Sequence, residues 1–371
     1  MSKSVCHITN LHSWNDTRIF YKECTALAEA GYDVSFVAPN AEEKTENGVQ
    51  ILSVSNPSQS RLKRATSVAF KVFRKGLKTK ASVIHFHDPE LIWVGILFRI
   101  FGRKVIFDVH ENVLAQIEDK EWLRFKGLVK LMYGFSEFLA AKLFYIVIAE
   151  NSYEEIFKGR TNKITKVLNF PDIEKFKGLK KQSGGKGILY VGVVTESRAI
   201  IEIFQALKIL QDKNIDFTFH CVGGVWEPTQ KLIDNSPIYQ EVKDKVIFYG
   251  RLPIYEAYQL ADKCAMGISI LHPMPNYLRS YSTKIFEYMA IGLPFVVSDF
   301  ELYRFVKEKE FGLCVDPKSP EQIAEAFETI LEGKIDIDAM TARGKEVVEK
   351  EYSWNAQKKN LLELYIQIFS K

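Results

Sequence analysis

The sequence predicts an α/β protein of two doubly wound, Rossmann-like domains, each a parallel sheet with helices on both faces. Three observations predict it. Short β-branched or aromatic runs alternate with helix-length amphipathic segments along nearly the whole chain, the rhythm of parallel strands joined by crossover helices. That rhythm restarts after Gly178–Gly187 (GLKKQSGGKG), a Gly-, Lys- and Ser-rich stretch that reads as a linker or exposed turn. A chain of 371 residues also exceeds one core at roughly 100–200 residues per domain. The expected domains are 1–170 and 171–352, followed by a helix at 353–371.

In the first half, strands are expected at Val5–Thr9, Val34–Ala38, Val49–Val54, Val83–Phe86, Val105–Val109 and Tyr145–Ala149, each a short β-branched or aromatic run. Gly31 and Gly102 each follow a helical run and precede a strand, where a helix C-terminus wants a residue tolerant of positive φ. The second half repeats the pattern at Ile188–Val191, Phe217–Val222, Val246–Tyr249, Gly267–Leu271, Phe295–Ser298 and Leu313–Val315. The last segment, Ser353–Ser370, reads as a helix with Leu361, Leu362, Leu364, Tyr365 and Ile368 on its apolar side. Two such domains would face a central cleft lined by the carboxyl ends of both sheets, where open α/β sheets bind ligands.

Composition narrows the function. Apolar residues make up 47% and charged residues 26%, an ordinary globular balance, and the net charge of +4 does not suggest a nucleic-acid binder. Five scattered cysteines with no CxxC pair argue against a disulfide framework or structural zinc and suit a reducing compartment. The N-terminus has no signal-like apolar stretch and no run is apolar for eighteen residues, so a cytoplasmic setting is expected.

Ser280–Pro294 (SYSTKIFEYMAIGLP) carries most of the chemistry. Thr283 is expected to N-cap a helix whose buried stripe is Ile285, Phe286, Met289 and Ala290. Free N–H groups at the helix start, the hydroxyls of Ser282 and Thr283, and Lys284 suit a phosphate. Glu287, one turn on, could accept two hydrogen bonds from a ribose diol. An exposed Lys–Glu pair on an ordinary helix is the plainer alternative.

This segment resembles the donor-binding helix of retaining glycosyltransferases with the GT-B fold, in particular glycosyltransferase family 4. There a Lys-(Leu/Ile)-Phe-Glu-Tyr-Met-Ala-x-Gly-x-Pro-(Val/Phe)-Val run recurs, matched here by Lys284–Val296. Phe248–Pro253 (FYGRLP), the Leu260–Cys264 stretch and the terminal Tyr352–Tyr365 are similar to further family segments; the last resembles a closing helix that crosses back onto the first domain. The resemblance implies a GT-B fold, retention of anomeric configuration, no metal or other cofactor, and a ribose-binding role for Glu287. It departs at Arg279, where the family has a glutamate eight residues earlier, leaving the sugar contacts unassigned.

Other phosphate contacts are expected after the strand Ile188–Val191. Gly192 lets the chain approach an anion closely, and Arg198 can neutralise it. The family usually has an arginine where Val193 stands, leaving Lys284 or Arg251 to compensate. In the first half, Trp14–Arg18 (WNDTR) lies between a strand and a helix; Asp16 could cap that helix or bind a hydroxyl, and Arg18 could clamp an anion.

His85, His87, Asp88 and Glu90 (HFHDPE) and then His110 and Glu111 (DVHEN) end neighbouring strands. The spacing does not match a metallohydrolase, and no metal is expected. Asp336-Ile-Asp338 formally matches a metal-binding pair but sits in a polar link between late helices. His110 matches the family histidine whose place is beside the donor sugar, which it would hold for attack, while His87 and Asp88 could bind the acceptor.

From Gly48 to His87 there is no acidic residue, while cations recur over 61–80 and Leu62, Ala65, Ala69, Val72 and Phe73 share a helical face. A basic amphipathic helix of this kind can lie on an anionic membrane, peripheral at the inner face. The expected function is transfer of a sugar from a nucleotide-sugar donor (a UDP- or GDP-sugar) to a glycan or lipid-linked acceptor, in cell-surface polysaccharide or glycolipid synthesis. A nucleotide-sugar epimerase or hydrolase on the same fold, or a non-catalytic scaffold, is the alternative.

Overall fold

The computed structural model describes residues 3–56, 60–114, 117, 125–176, 178–179 and 184–370. The chain forms two units, Met1–Asn169 with Gln357–Lys371, and Phe170–Ala356. The second unit begins before the Gly-rich stretch, of which residues 180–183 lie outside the described residues. Its other end is no free linker: a Cβ on Gly185 would lie 2.6 Å from the Lys263 carbonyl oxygen.

The described residues of the first unit form eight strands: β1 (Ser4–Ile8), β2 (Asp33–Pro39), β3 (Lys44–Glu46), β4 (Val49–Val54), β5 (Val83–Phe86), β6 (Lys104–Val109), β7 (Tyr145–Ile148) and β8 (Ile164–Lys166). Their order is β3-β4-β2-β1-β5-β6-β7-β8. All neighbours are parallel except β3 and β4. Two of these strands, β3 and β8, were not expected. β3 and β4 form a hairpin whose two-residue turn, Asn47 and Gly48, has positive φ at both positions (50° and 75°); Asn-Gly turns of this kind match the twist of the strands they join. β8 is three residues long and half-buried, too short to register as an apolar run.

Strands β5 to β7 are apolar nearly throughout because helices cover both faces of the sheet. Side chains alternate between those faces. Ile84, Phe86, Val105, Phe107, Ile146 and Ile148 point into one core with the helices 61–78, Ile92–Ile100 and Lys126–Leu143. His7, His85 and Asp108 point to the other face. There the final helix, Trp354–Ser370, buries Leu361, Leu364, Tyr365 and Ile368 against the first unit; Leu362 is only half-buried. On the helix 61–78, Ala69, Val72 and Phe73 are buried, but Leu62, expected beside them, is 73% exposed.

Among its described residues, the second unit holds six parallel strands, β9 (Gly187–Val191), β10 (Thr218–Val222), β11 (Val246–Gly250), β12 (Cys264–Ser269), β13 (Phe295–Ser298) and β14 (Leu313–Val315). Their order is β11-β10-β9-β12-β13-β14, so the chain switches direction between β9 and β12. Ligands of doubly wound sheets bind at the carboxyl ends beside such a switch. In the first unit the corresponding switch lies between β1 and β5. Among the described residues no helix is long and apolar enough to cross a membrane.

Candidate active site

In the second unit, three glycines end adjacent strands. Gly192, Gly223 and Gly250 all have positive φ (145°, 145° and 67°). The first two strand ends approach so closely that a Cβ on Gly223 would lie 1.9 Å from the Gly192 carbonyl oxygen. The loops beyond them stay paired, Val194 donating its N–H to the Gly224 carbonyl (2.9 Å) and Trp226 donating to the Val194 carbonyl (3.0 Å). A Cβ on Gly192 would meet Lys284 Cε at 2.7 Å and Arg198 Nη1 at 2.9 Å, so two cations from distant segments converge on one bare strand end. Arg251 lies likewise against Gly224, its Nε 3.0 Å from where a Cβ would stand.

Arg198 donates through Nη1 to the Tyr190 hydroxyl (3.2 Å), which itself donates to the Val193 carbonyl (2.6 Å). Its buried Nε has no hydrogen-bond partner among the described residues. A buried guanidinium N–H left open is costly unless an anion completes it. Burial and the nearby Arg198 lower the Lys284 ammonium to about 8, with Glu287 opposing them. Two cations held close, one of them losing its proton readily, form a site that gains by receiving negative charge.

Lys284 lies in the first turn of the helix Thr283–Ile291. The N-cap position belongs to Ser282, not to Thr283 as expected, and its side chain makes no cap. The reason is local: Ser282 Oγ accepts from Ser269 Oγ (2.7 Å), while its N–H donates to the Tyr303 hydroxyl (2.9 Å). The uncapped helix start retains the N–H groups and partial positive charge that attract phosphate. Ile285, Phe286 and Met289 are buried as expected; Ala290 is half-buried, and Tyr288 is buried in addition. Glu287 accepts a short hydrogen bond from the buried Tyr258 hydroxyl, which fixes its carboxylate. Arg279 is exposed on the preceding loop.

In the first unit, the ends of β1, β5 and β6 enclose a cavity of about 290 Å³ whose lining includes His12, Arg64, His87, Asp88, His110 and Glu111. Asp108, buried in β6, organises it. Its Oδ2 lies 2.6 Å from His110 Nε2 and 3.2 Å from His87 Nδ1. Arg18 grips both carboxylate oxygens, with Nε to Oδ2 at 3.1 Å and Nη2 to Oδ1 at 2.9 Å. Burial alone would raise the Asp108 carboxyl, but Arg18 and the histidine contacts outweigh it and hold it well below the usual range. Glu23, also paired with Arg18 (3.1 Å), goes the other way: burial and the Asp108 charge push it well up.

Arg18 is therefore not an anion clamp. It is 6% exposed, tied to Asp108, Glu23 and the Val167 carbonyl (2.8 Å), and neutralises buried charge instead. Asp16 caps the turn after it, accepting from the N–H groups of Arg18 (2.8 Å) and Ile19 (2.9 Å). Asp88 is buried and accepts from Thr9 Oγ1 (2.6 Å) and the Asn10 N–H (2.8 Å). His12, absent from the expected residues, sits between Asp16 (3.3 Å) and Asp88 (3.5 Å).

A chain of hydrogen bonds runs inward from His87. His87 Nε2 pairs with His7 Nδ1 (2.9 Å), His7 Nε2 with the Tyr365 hydroxyl (3.3 Å), and that hydroxyl with His85 Nδ1 (2.9 Å). Two groups in this region, His7–Glu23–His85–His87 and His87–Asp108–His110, bring potential metal-ligand atoms within 4.8 Å of one another. Their ring nitrogens are largely engaged with each other, with Asp108 and with Tyr365, which is the arrangement of a hydrogen-bonded network. Asp336, from the formal metal-binding pair, instead caps the helix Ile337–Lys350 through the Ala339 N–H (2.9 Å).

Residues that the sequence reading missed are the supports: Tyr190 under Arg198, Tyr258 under Glu287, and Asp108 under His110. Only Asp108 left a signal, as a lone carboxylate inside an apolar strand.

The model of Glycosyltransferase Family 4 matches residues 17–164, and that of Glycosyl transferases group 1 matches residues 185–333. Among solved structures, a glycosyltransferase from Rickettsia africae is similar with a TM-score of 0.75 and 14% identity, covering 100% of this chain and 99% of that one. Sucrose-phosphate synthase from Thermosynechococcus elongatus is similar with a TM-score of 0.73 and 16% identity over 99% of each chain. Anabaena HepE in complex with UDP and glucose has a TM-score of 0.69 and 11% identity over 100% of each. At these identities the likeness shows a shared fold. An uncharacterized glycosyltransferase of Methanocaldococcus jannaschii is 27% identical over 190 residues, a match that spans 50% of this chain and only 45% of that relative. With one family model on each unit and neighbours matched end to end, the chain belongs to the group 1, family 4 glycosyltransferases and has their GT-B fold.

Proposed function

We propose that the protein transfers a sugar from a nucleotide diphosphate sugar to a hydroxyl of a glycan or lipid-linked acceptor, with retention and without a metal. The observation that carries this reading is the convergence of Arg198 and Lys284 on Gly192 beside an uncapped helix start. A departing diphosphate needs cations and N–H donors already in place, since their preorganisation stabilises charge as it develops. Lys284, Arg198, Ser282 and Thr283 would hold the diphosphate, with Arg251 beside the strand ends. Glu287, steadied by Tyr258, would take the ribose diol. His110 would hold a hydroxyl of the transferred sugar, its ring oriented by Asp108. The first-unit cavity would take part of the acceptor, and the basic helix 61–78 would keep the enzyme peripheral to an anionic membrane. HepE is described with UDP and glucose and with UDP-glucose, which favours a UDP-sugar as the first donor to try.

The test is binding of UDP, GDP, ADP and their sugar conjugates in EDTA, followed by added Mg²⁺. A ligand at 100-fold its Kd stabilises by about 2.7 kcal/mol, a shift of several degrees. Stabilisation by one base in EDTA, followed by acceptor-dependent loss of its sugar conjugate, supports the reading. Conversion without acceptor would favour an epimerase or hydrolase. No nucleotide binding would favour a scaffold, consistent with the departures at Val193 and Arg279.

A further inference from the structure

One face of the first sheet is covered by the helices 61–78, Ile92–Ile100 and Lys126–Leu143, which share a single core beneath them. The last of these is inverted relative to an ordinary surface helix. Its buried side holds Ala140, Ala141 and Glu137, the last paired with Arg160 (3.3 Å). Its large apolar residues point outward: Leu128 (58% exposed), Leu131 (70%), Met132 (64%), Phe135 (61%) and Phe138 (43%). Their spacing places them along one side of the helix, forming a continuous stripe. The helix Ile92–Ile100 ends nearby with Ile100 and Phe101 exposed, and Phe101 contacts Phe73 of the helix 61–78 (5.8 Å between ring centroids).

An apolar stripe of this extent marks a surface that meets something. Charge indicates what. In the same layer, on the far side of the helix Ile92–Ile100, the helix 61–78 presents Lys63, Arg74 and Lys78 to solvent, and Arg99 and Lys142 are exposed on the other two helices. A second copy of the chain would bring the same positive face against itself. A nucleic acid would satisfy the cations but leave the leucines and phenylalanines in water. An anionic bilayer satisfies both, accepting apolar side chains at the acyl boundary and cations among its headgroups.

We infer that this helix layer docks the protein on an anionic lipid bilayer, the stripe Leu128–Phe138 inserting and Arg74, Lys78, Arg99 and Lys142 meeting the headgroups. This deepens the peripheral-membrane part of the proposed function by assigning insertion to a helix outside the basic segment 61–80, and it is independent of donor chemistry. The test is flotation of the full chain with phosphatidylcholine vesicles, with and without phosphatidylglycerol, at low and physiological ionic strength. The wild type should float with the anionic vesicles. Combined Leu131→Ser and Phe135→Ser should weaken that binding by about tenfold or more, and combined Arg74→Glu and Lys78→Glu should abolish the preference for anionic lipid. All variants should keep the wild-type Tm and nucleotide affinity.

Three results would overturn the inference: a wild type that ignores anionic vesicles, a serine pair that binds like wild type, or a concentration-dependent dimer abolished by the serine pair without any vesicle binding. Intact nucleotide binding alongside failed flotation would refute docking alone. Flotation without nucleotide binding would support docking and count only against the donor reading.

Discussion

Adding one methyl group at Gly192 should separate the proposed phosphate site from the rest of the second unit. In Gly192→Ala the new Cβ would lie 2.7 Å from Lys284 Cε and 2.9 Å from Arg198 Nη1, at a backbone φ of 145°. These penalties fall on different observables. The φ belongs to a region that suits glycine, so the backbone strain, about 1–3 kcal/mol, appears as lower stability. The contacts involve the ends of long side chains, which move at little cost to the fold. Moving them, however, takes the ammonium and guanidinium away from the strand end. A hydrogen bond to a charged group is worth about 1.5–3 kcal/mol, so losing one weakens Kd roughly 10- to 150-fold, and losing both weakens it further. Isothermal titration with UDP and GDP, alongside a thermal melt, measures both effects. A melt lowered by a few degrees with a diphosphate Kd unchanged within twofold would refute the assignment of this convergence as the phosphate site.

Three further outcomes follow from the same geometry. Because Lys284 titrates near 8 in the free protein, a diphosphate should raise its pKa, and titrations at pH 8–9 in buffers of different ionisation enthalpy should show proton uptake on binding; none is expected at pH 6.5. At pH 6.5, well below the Lys284 pKa, Glu287→Gln should weaken binding of the nucleoside diphosphate by about 1–2 kcal/mol without weakening that of inorganic pyrophosphate, since the carboxylate is assigned to the ribose; equal losses for both ligands would remove that assignment. Acid should destabilise the first unit. His7, His85 and His87 are buried and held neutral, His87 down to about 4, mainly by desolvation. The unfolded chain therefore binds more protons than the folded one from pH 6.5 down toward 4, and stability falls as pH falls, by up to about 1.4 kcal/mol per pH unit for each histidine. Melts at pH 7, 6 and 5 should decline accordingly; a flat profile would mean that the buried rings are already charged.

Most of the sheet architecture was legible because each parallel strand is an apolar run a few residues long, buried on both faces, and such runs are distinct in sequence. The exceptions show the limit of that signal. β8 (Ile-Thr-Lys) is half-buried at the sheet edge and carries no apolar pattern. β3 (Lys-Thr-Glu) is polar, and only the Asn47–Gly48 turn announces it. Uniform helical spacing puts Leu62 on the buried face, but the wide turn at Arg64–Val68 breaks that period and rotates it outward.

The site divides along a different line. Gly192, Arg198, Lys284 and Glu287 could be picked out as candidates because the phosphate and ribose proposed for them would demand particular atoms at a strand end and a helix start, and those ends are set by local sequence. What holds these residues was not legible, because a support need only be a hydroxyl or a charge arriving from anywhere in the unit. Arg18 is the sharpest case. From sequence, an arginine in a loop before a helix reads as a substrate cation; in the structure it is the counter-charge of Asp108, whose carboxylate sits ninety positions later in a strand. The lone Asp in Val105–Val109 was the available clue. A carboxylate buried inside a parallel sheet must be paired or protonated, so some cation elsewhere in the chain had to be spent on it. The same reasoning separates the two cation sets functionally. Arg18 is already neutralised within the fold and has no charge left to offer a ligand, whereas Arg198 and Lys284 repel each other in the free protein and gain only when an anion arrives.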